Sequence, residues 1–432
     1  MRRLLFPTPA ALLVACIAAF AQSPAQSLGT VKLAEAQAIA LKNHPHIASE
    51  AFRAEAGAAV VKEAHSAFLP TVSVNVTGVG TDPGSVLSAG NVTTSSIYSR
   101  VASGIAVNQL LSDFGRTSNL EKSAKLRSAA ANEDVDTARQ QVILNVRIAY
   151  YQALATQSVL KVARDTLALR RVTLRQVRAL AQSSLRSTLD VSFAEVNVSQ
   201  AELDLVNAEN DASASHAQLS AAMGYVGDHP FSLSDEPMPP TLDPDVDGLI
   251  AQSMHQRPDL KALQLTYEGA EKFARAEKDL RNPTLTAAAV GGAAPYRTDG
   301  LPEEYGAAGI NLNVPVFNGG LFKARRQEAE ARAAAVNKDV EDLSLQIARD
   351  VKVAWLNAND AFKRLDVTAR MERQANEVLR LAQARYEASL GSIVELTQAE
   401  VSQTSADIDA ASAKYDYLGR RAALDYAMGN LQ

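Results

Sequence analysis

Residues 141–167 read QVILNVRIAYYQALATQSVLKVARDTL, and this stretch decides the fold. Apolar or small side chains recur along it at steps of four and three residues, at Val142, Val146, Ala149, Ala153, Thr156, Leu160, Ala163 and Leu167. Steps that average 3.5 residues are typical of α-helices that pack together as coiled coils. The stretch therefore predicts a coiled-coil helix.

The helical region extends far beyond this stretch. From Arg116 to Met223 the chain contains neither glycine nor proline, and most of its residues are good helix formers. A helix from about 116 to 182 would be on the order of 100 Å long at 1.5 Å per residue. No single compact core needs a helix of that length.

The second half of the chain repeats the first at a spacing of roughly 205 residues. From Leu321 to Met428 there is no proline, and the only glycines are Gly391 and Gly419. The two windows end alike, with Ala-Ala-Met-Gly at 221–224 and Tyr-Ala-Met-Gly at 426–429. A seam of steps of four and three also recurs, at Val340, Leu343, Ile347, Val351, Ala354, Ala358 and Leu365. The sequence therefore predicts a duplicated long helical hairpin.

Two alternating polar and apolar segments precede each predicted hairpin. They lie at 71–77 and 100–111 in the first half, and at 284–290 and 310–316 in the second half. Alternation of this kind predicts strands. With the residues that flank each alternating segment, the strands are predicted to be about 9–12 residues long, roughly what a tilted strand needs to cross a bilayer. A sheet in a soluble protein shows the same alternation, so the strands alone leave both alternatives open.

Shorter helices and prolines complete each half. Helices are predicted at 33–42 and about 46–67, and again at 246–256 and 259–281, with prolines at both ends of the second helix of each pair. The predicted organisation is a first repeat at 28–224, a proline-rich linker at 225–245 and a second repeat at 246–430.

Residues 1–21 are predicted to be a secretory signal peptide. Arg2 and Arg3 precede an apolar run, and Ala19-Phe20-Ala21 offers a cleavage site with small residues. Cys16, the only cysteine, lies in a sequence that also resembles a lipoprotein cleavage box, so lipidation of Cys16 is the less favoured alternative.

Composition excludes several classes of function. The net charge of −5 and the lack of a basic stripe argue against nucleic acid as a partner. The histidines are scattered, and none of the usual nucleotide-loop, hydrolase or metalloprotease motifs occurs. The chain is therefore not predicted to be an enzyme, and no catalytic residue, cofactor or metal ligand is predicted.

Four strands cannot close a membrane barrel. Lipid cannot satisfy an open sheet edge, and the smallest bacterial barrels have about eight strands. If these strands lie in a membrane, several chains must share one barrel, and the helices must extend away from the bilayer.

The chain resembles the TolC-like outer-membrane efflux protein family over essentially its whole mature length. The resemblance rests on the duplicated layout, on QRPDL at 256–260, on VPVFNGG at 314–320 and on ARYEASLGS at 384–392. It implies a fold that is mainly α with membrane β, in which a trimer forms a twelve-stranded β-barrel continued by a periplasmic α-helical barrel. It also implies a location in the outer membrane with a long periplasmic extension. Two departures concern the turns, because Ser389 stands where relatives have glycine and the turn at 183–187 contains no glycine.

The resemblance implies a passive exit channel of a tripartite efflux pump or a type I secretion system. The expected partners are a periplasmic adaptor, an inner-membrane pump, outer-membrane lipid and two further copies of the chain. The cargo, whether drug, metal or protein, is not predicted. The alternative is a soluble periplasmic coiled-coil structural protein whose strands form a small sheet.

The two hairpin turns are expected to form the periplasmic tip and to dock the adaptor. An ordinary helix-hairpin turn is the alternative for them. The predicted docking residues are Ser184, Leu185, Arg186, Ser187, Ser389, Leu390, Gly391 and Ser392. Gly391 is expected to take a positive φ in its turn.

An acid follows each turn at equivalent places, Asp190 in the first half and Glu395 in the second. In a trimer these would be six carboxylates at a narrow end, and a ring of acids favours cations. The alternative is that they are ordinary acids in the first turn of a helix. By resemblance, Tyr386 helps to hold the tunnel shut, with Asp190 as its partner. The family's gate arginine is not matched, since Gly391 occupies its place.

Overall fold

The computed structural model describes residues 29–80, 86–89, 92–96, 99–227, 229–297 and 302–431, with the backbone alone at 86–89 and 92–96. The predicted signal peptide at 1–21, and Cys16 within it, lie outside the described residues. Both therefore stay predictions.

The described chain alternates short strands with helices, and helices make up most of it. In chain order the elements are β1 (Thr30–Val31), α1 (Leu33–Asn43), α2 (Pro45–Ser66), β2 (Thr71–Val79), β3 (Val86–Ala89), β4 (Val92–Ser96), β5 (Arg100–Ser112), α3 (Arg116–Gln182), α4 (Thr188–Ala222), β6 (Ser232–Leu233), α5 (Val246–Gln256), α6 (Pro258–Asp279), β7 (Thr284–Arg297), β8 (Glu304–Asn313), α7 (Leu321–Glu387) and α8 (Ile393–Ala427).

Corresponding helices of the two halves have equal lengths. Helices α3 and α7 have 67 residues each, and α4 and α8 have 35 each. The turns correspond as well, because residues with positive φ recur 205 positions apart, at Phe114 and Gly319, Gly115 and Gly320, Ser184 and Ser389, and Gly224 and Gly429. Positive φ is costly for residues other than glycine, so this agreement shows that the two halves share the backbone path of their turns.

The chain divides into two compact units, each built from three segments. Unit 1 comprises the described part of Met1–Asn43, Val146–Pro239 and Thr368–Asp416; unit 2 comprises the described parts of His44–Asn145, Pro240–Val367 and Tyr417–Gln432.

Unit 2 contains a four-stranded antiparallel sheet in the order β2-β5-β7-β8. Val72, Val74 and Val76 alternate along β2 and are 65–74% exposed, while Ile310 and Leu312 on β8 are 70% and 59% exposed. The pairings place Val72, Val107, Ala289 and Ala308 on one face of the sheet, and Ser73, Ala106, Val290 and Ala307 on the other. The sheet thus has one largely apolar face made of valines, leucines, isoleucines and alanines, and an opposite face that carries Ser73, Asn75, Asn108 and Asn311.

The two strand predictions of the second half are wrong in their bounds. Strand β7 runs on to Arg297 rather than ending at 290, because Gly291 and Gly292 pair with strands on both sides and this pairing overrides the loop preference of glycine. Strand β8 begins at Glu304, opposite the longer β7, and ends at Asn313 rather than 316. Pro315 has no N–H to donate and restricts the residue before it, so Val314 and Val316 lie beyond the strand.

The sequence at about 78–97 predicts a loop between the first two strands, and this prediction is also corrected. Strand β2 extends to Val79, and β3 and β4 form a two-stranded antiparallel hairpin within the loop. The segment is rich in glycine, serine and threonine, which is the composition that indicated a loop. Backbone pairing between neighbouring strands outweighs this local preference.

Helices of unit 2 pack through small residues. On α3, Ser123 Oγ donates to Gly269 O of α6 at 2.7 Å, and Asn119 Nδ2 donates to Asp279 Oδ2 at 2.9 Å. A separate core cluster joins α6, α7 and the end of α8 through Leu260, Ile347, Val351, Ala358, Leu424, Ala427 and Met428. The residues of the predicted seam on α7, Ile347 and Val351 among them, therefore do face a core.

Unit 1 is a bundle of long helices with alanine at its contacts. Along α4 the buried small residues Ala194, Ala201, Ala208 and Ser215 recur every seven positions. Heptad spacing keeps one face of a helix against its partner, and alanine lets the helices approach closely. No helix in the described part of the chain is both long enough and apolar enough to cross a lipid bilayer.

Candidate functional site

The two hairpin turns of unit 1 have the same backbone form. Each contains one serine in the left-handed region, Ser184 with φ of 60° and Ser389 with φ of 63°. The N–H of the leucine that follows donates to the carbonyl five residues earlier, at 3.0 Å in the first turn and 2.8 Å in the second. This pattern closes the C-terminal end of a helix.

Gly391 has a different role from the predicted one. Its φ is not among the positive values, and Ser389 takes the left-handed conformation instead. A Cβ atom at Gly391 would lie 3.3 Å from Arg385 Cβ, from Glu395 Oε2 and from the backbone nitrogen of Tyr386. The glycine is therefore required for space and not for a special φ.

A serine caps the helix that leaves each turn. Ser187 Oγ accepts from Asp190 N at 3.2 Å, and Ser392 Oγ accepts from Glu395 N at 3.1 Å. An N-cap serine followed three residues later by an acid is a favourable helix start. Local helix chemistry thus accounts for the presence of both acids, but not for what their carboxylates contact.

Asp190 contacts the other hairpin. Tyr386 Oη, near the end of α7, donates to Asp190 Oδ2 at 3.1 Å. Tyr386 is only 3% exposed and packs in a cluster with Val177, Ala194 and Leu396 from the other helices. Burial, together with the hydrogen bond to Asp190 and the charge of that carboxylate, raises the pKa of Tyr386 to about 12. The phenol therefore stays protonated and remains a donor at neutral pH.

Glu395 contacts its own hairpin. Its Oε1 lies 3.1 Å from Arg385 Nε, and both side chains are about half exposed. Such an exposed ion pair contributes little to stability. The two acids are thus equivalent in sequence but different in surroundings, since only Asp190 joins the two hairpins.

The predicted docking residues are mostly exposed. Leu185 is 63% exposed and Leu390 is 72% exposed, and the four serines at the turns are exposed as well. Arg186 is different, because its guanidinium lies over the ring of Tyr386 with Cζ 4.0 Å from the ring centroid. Its Nη2 also donates to Tyr386 O, and its Nη1 lies 3.5 Å from Gly391 O.

A buried ion pair that the sequence did not reveal lies between the hairpins farther along the helices. Arg170 Nη1 of α3 is 2.7 Å from Glu400 Oε2 of α8, and the two side chains are 6% and 1% exposed. Thr173 and Asn197 donate to the same carboxylate, at 3.2 and 3.3 Å. Burial outweighs the opposing effect of Arg170 and raises the pKa of Glu400. The sequence carried one sign of this pair. Glu400 directly follows Ala399, which corresponds to Ala194 in the first repeat, and both alanines lie in the core between the helices.

The outer faces of some helices carry unpartnered apolar side chains. On α4 they recur at steps near 3.5 residues and are 37–64% exposed, at Leu189, Phe193, Val196, Leu203 and Val206. On the part of α7 in unit 1 they are Met371, Val378 and Leu381, which are 38–52% exposed. A stripe with this period is a coiled-coil seam that lacks a partner helix.

The sheet of unit 2 also lacks partners at its edges. Within the described residues, β2 pairs only with β5 and β8 pairs only with β7, so each presents an unpaired row of backbone groups. Free edges of this length invite pairing with another strand. Among the same residues, no three His, Cys, Asp or Glu side chains are grouped so that they would hold a metal ion.

Comparison with known proteins gives the family of the chain. The family profile of the outer membrane efflux proteins matches residues 38–225 and 249–430. The chain is 26% identical over 404 residues to the toluene efflux pump outer membrane protein TtgF of Pseudomonas putida, a match that covers 91% of this chain and 82% of that protein. It is 24% identical over 417 residues to the outer membrane protein TolC of Vibrio cholerae, covering 92% and 91%.

The fold is that of solved outer-membrane channels. The structure of the outer membrane protein VceC from Vibrio cholerae superposes with a TM-score of 0.78 at 18% identity, covering 92% of this chain and 96% of that one. These findings support an exit channel and not a soluble periplasmic coiled-coil protein. The chain therefore belongs to the outer membrane efflux protein family, and it is an efflux channel of the outer membrane with a periplasmic extension.

Proposed function

We propose that the chain works as a homotrimer in which three sheets close one twelve-stranded barrel. The observation that carries this proposal is the four-stranded sheet with one apolar face and two free edges. An open edge cannot be satisfied in lipid, and four strands are too few to close a barrel. Pairing of β8 of one copy with β2 of the next would remove all edges.

The exposed seams on the helices support the same assembly. The apolar stripe of α4 and that of α7 would each be covered if a second copy packed against them as a coiled coil. Three helical bundles joined in this way would form the periplasmic helical barrel. A second copy is the partner of choice, because closing the barrel already brings copies of the chain side by side.

The hairpin tips are proposed to be the resting gate of the channel. The bond from Tyr386 to Asp190 joins the two hairpins and would have to break if one hairpin moved away from the other. In the trimer, Asp190 and Glu395 would together supply six carboxylates around the narrow end, which favours cations over anions.

The exposed surface of the turns is proposed to bind the periplasmic adaptor of an inner-membrane pump. Leu185 and Leu390 are large apolar side chains at the two turns and are mostly exposed. Exposed apolar residues clustered at a tip mark a contact site for another protein. The signal peptide is proposed to end at Ala21, and the repeats to span 28–224 and 246–430 with a linker at 225–245.

The experiment that tests the gate is a selectivity measurement on purified channels in planar lipid bilayers under a salt gradient. Glu395→Ala is the informative variant, because Glu395 contributes charge without joining the hairpins. We expect the reversal potential to move towards zero, and further with Asp190→Ala added. Glu202→Ala, which removes an exposed acid paired with Arg171 away from the tips, is the control and should leave the potential unchanged. Unchanged potentials in all variants would contradict the carboxylate ring.

A further inference from the structure

Arg186 of the first turn reaches across to the second hairpin and makes three contacts there. Its guanidinium lies over the ring of Tyr386, at 4.0 Å from the centroid. It donates through Nη2 to Tyr386 O and approaches Gly391 O through Nη1 at 3.5 Å. All three contacts join residues that are about 200 positions apart in sequence, so all of them hold one hairpin to the other.

The backbone carbonyls that Arg186 contacts, those of Tyr386 and Gly391, are well placed to bind a positively charged group. Helix α7 ends at Glu387, so the carbonyl of Tyr386 is among the last four of the helix, which have no partner within it. It accepts from Ser389 N at 3.0 Å and has a second lone pair for Arg186. The C-terminal end of a helix also carries partial negative charge, which stabilises an arginine there.

The two residues that meet at this contact are equivalent in the two repeats. Arg186 and Gly391 stand 205 positions apart, as do Ser184 and Ser389. A Cβ atom at 391 would make tight contacts of 3.3 Å within its own hairpin, with Arg385, Tyr386 and Glu395, whereas the long side chain at 186 crosses to the other turn. The duplicated turns have thus diverged, with a long cationic side chain at 186 and no side chain at 391.

The position of Arg186 also constrains Tyr386. The guanidinium covers one face of the phenol ring while the hydroxyl donates to Asp190. A planar guanidinium stacks on an aromatic face better than an ammonium does. The tyrosine is therefore held at its ring, at its carbonyl and at its hydroxyl, always by residues of the first hairpin.

We propose that Arg186 is the clamp of the resting channel, a positioning residue that holds the second turn against the first and keeps Tyr386 aimed at Asp190. This inference rests on the proposed gate at the tips. Arg186 of the first hairpin would then help to hold the tips closed, in place of the adaptor-docking role that is expected from the sequence. Opening of the tip would require the guanidinium to leave the ring and both carbonyls.

The test is the resting conductance of purified trimers in planar lipid bilayers, without any adaptor, so that docking does not enter. Arg186→Ala should raise the resting conductance by roughly tenfold or more, because the loss of a cation–π contact and a charged hydrogen bond shifts the balance between closed and open tips by at least that factor. Arg186→Lys keeps the positive charge but not the planar guanidinium, so it should give an intermediate increase in conductance. Arg178→Ala is the matched control, because Arg178 lies near the end of α3 in the same hairpin and pairs there with Glu195 of α4.

Two further measurements separate a clamp from a general structural role. The increase for Arg186→Ala combined with Tyr386→Phe should be smaller than the product of the single increases, because the arginine acts partly through the tyrosine. The melting temperature and the mass of the trimer should match those of the unchanged chain. If Arg186→Ala does not assemble, the resting conductance of Arg186→Lys is compared with that of the unchanged chain and of Arg178→Ala instead.

The outcomes distinguish the clamp from the gate. Wild-type conductance in both Arg186 variants, with a raised conductance in Tyr386→Phe, would overturn the clamp and leave the gate standing. Wild-type conductance in all of these variants would overturn the gate and the clamp with it. An increase equal to that of Arg178→Ala would also overturn the clamp.

Discussion

At the scale of single residues, the tip of the channel depends on which side chains keep their protons. Tyr386 can bond to Asp190 only while its hydroxyl is protonated, and burial raises the pKa of Tyr386 to about 12. The pKa of a free tyrosine is about 10. A raised pKa means that the arrangement with Tyr386 bonded to Asp190 favours the protonated phenol. The stability that this hydrogen bond contributes is therefore complete below about pH 10 and is lost as the pH rises towards about 12.

The first prediction at this scale concerns pH. The resting conductance of the trimer should stay constant from neutral pH to about 10, and should rise as the pH approaches about 12. Conductance in planar bilayers at stepped pH is the measurement. Tyr386→Phe removes the titrating group, so it should conduct more at neutral pH and show no such rise. An identical rise in the Phe variant would assign the effect to other groups.

A second prediction concerns the buried pair of Arg170 and Glu400. Glu400→Ala leaves the guanidinium of Arg170 buried without its carboxylate, and a broken buried pair costs about 3–5 kcal/mol. The replacement of both residues, Arg170→Met with Glu400→Leu, should cost much less, because no charge is left buried. Thermal unfolding of the unchanged chain, the Ala variant and the double variant measures the difference. Equal losses for the Ala variant and the double variant would contradict the coupling.

At the scale of elements, helix α4 has one buried face and one exposed face that is also apolar. One face buries Ala194, Ala201 and Ala208 inside unit 1, and the other exposes Val196 and Leu203. Burying a valine or leucine side chain contributes on the order of 2 kcal/mol. Exposure of such a stripe is costly for a protein that works alone, which is the reason to expect a second copy on it.

The prediction for α4 is loss of assembly. Val196→Asp together with Leu203→Asp places charges in the proposed seam, so the purified protein should no longer be a trimer in mild detergent. Light scattering measures the mass. Glu209→Ala is the matched control on the same helix, because Glu209 faces Arg164 of α3 and is away from the stripe. A trimer that survives the two aspartates would contradict the seam.

Elements differ in how well the sequence predicts them. The long helices follow from composition and from steps of 3.5 residues, because their packing repeats along the whole chain. Strand ends were harder, since Gly291 and Gly292 are held in β7 by pairing with neighbours that local sequence does not specify. At the turns, the conformation of Ser184 and Ser389 depends on backbone bonds that close each helix.

The candidate site was predictable only in part. Asp190 and Tyr386 could be named because of their place in the repeat and the family resemblance, while the role as a gate stays a prediction. The contacts of Arg186 and the pair of Arg170 with Glu400 could not be predicted, because they join residues about 200 positions apart whose approach is set by helix packing.

At the scale of the whole molecule, the duplication gives each chain two long helical hairpins and the four strands of the sheet β2-β5-β7-β8. An outer-membrane channel built from such chains needs a number of copies that closes its sheet, and the free edges of β2 and β8 are where copies would join. The family and the location follow from the comparisons, whereas the closed barrel and the helical tunnel depend on the proposed number of copies, which is three.

The most direct test is the mass of the protein extracted from outer membranes in detergent, measured by light scattering with the detergent subtracted. One chain has a mass of 46.0 kDa before removal of any signal peptide. A trimeric channel should give a particle of three chains that resists dilution. A monomer recovered from the soluble periplasmic fraction, or a stable particle with another number of chains, would contradict it.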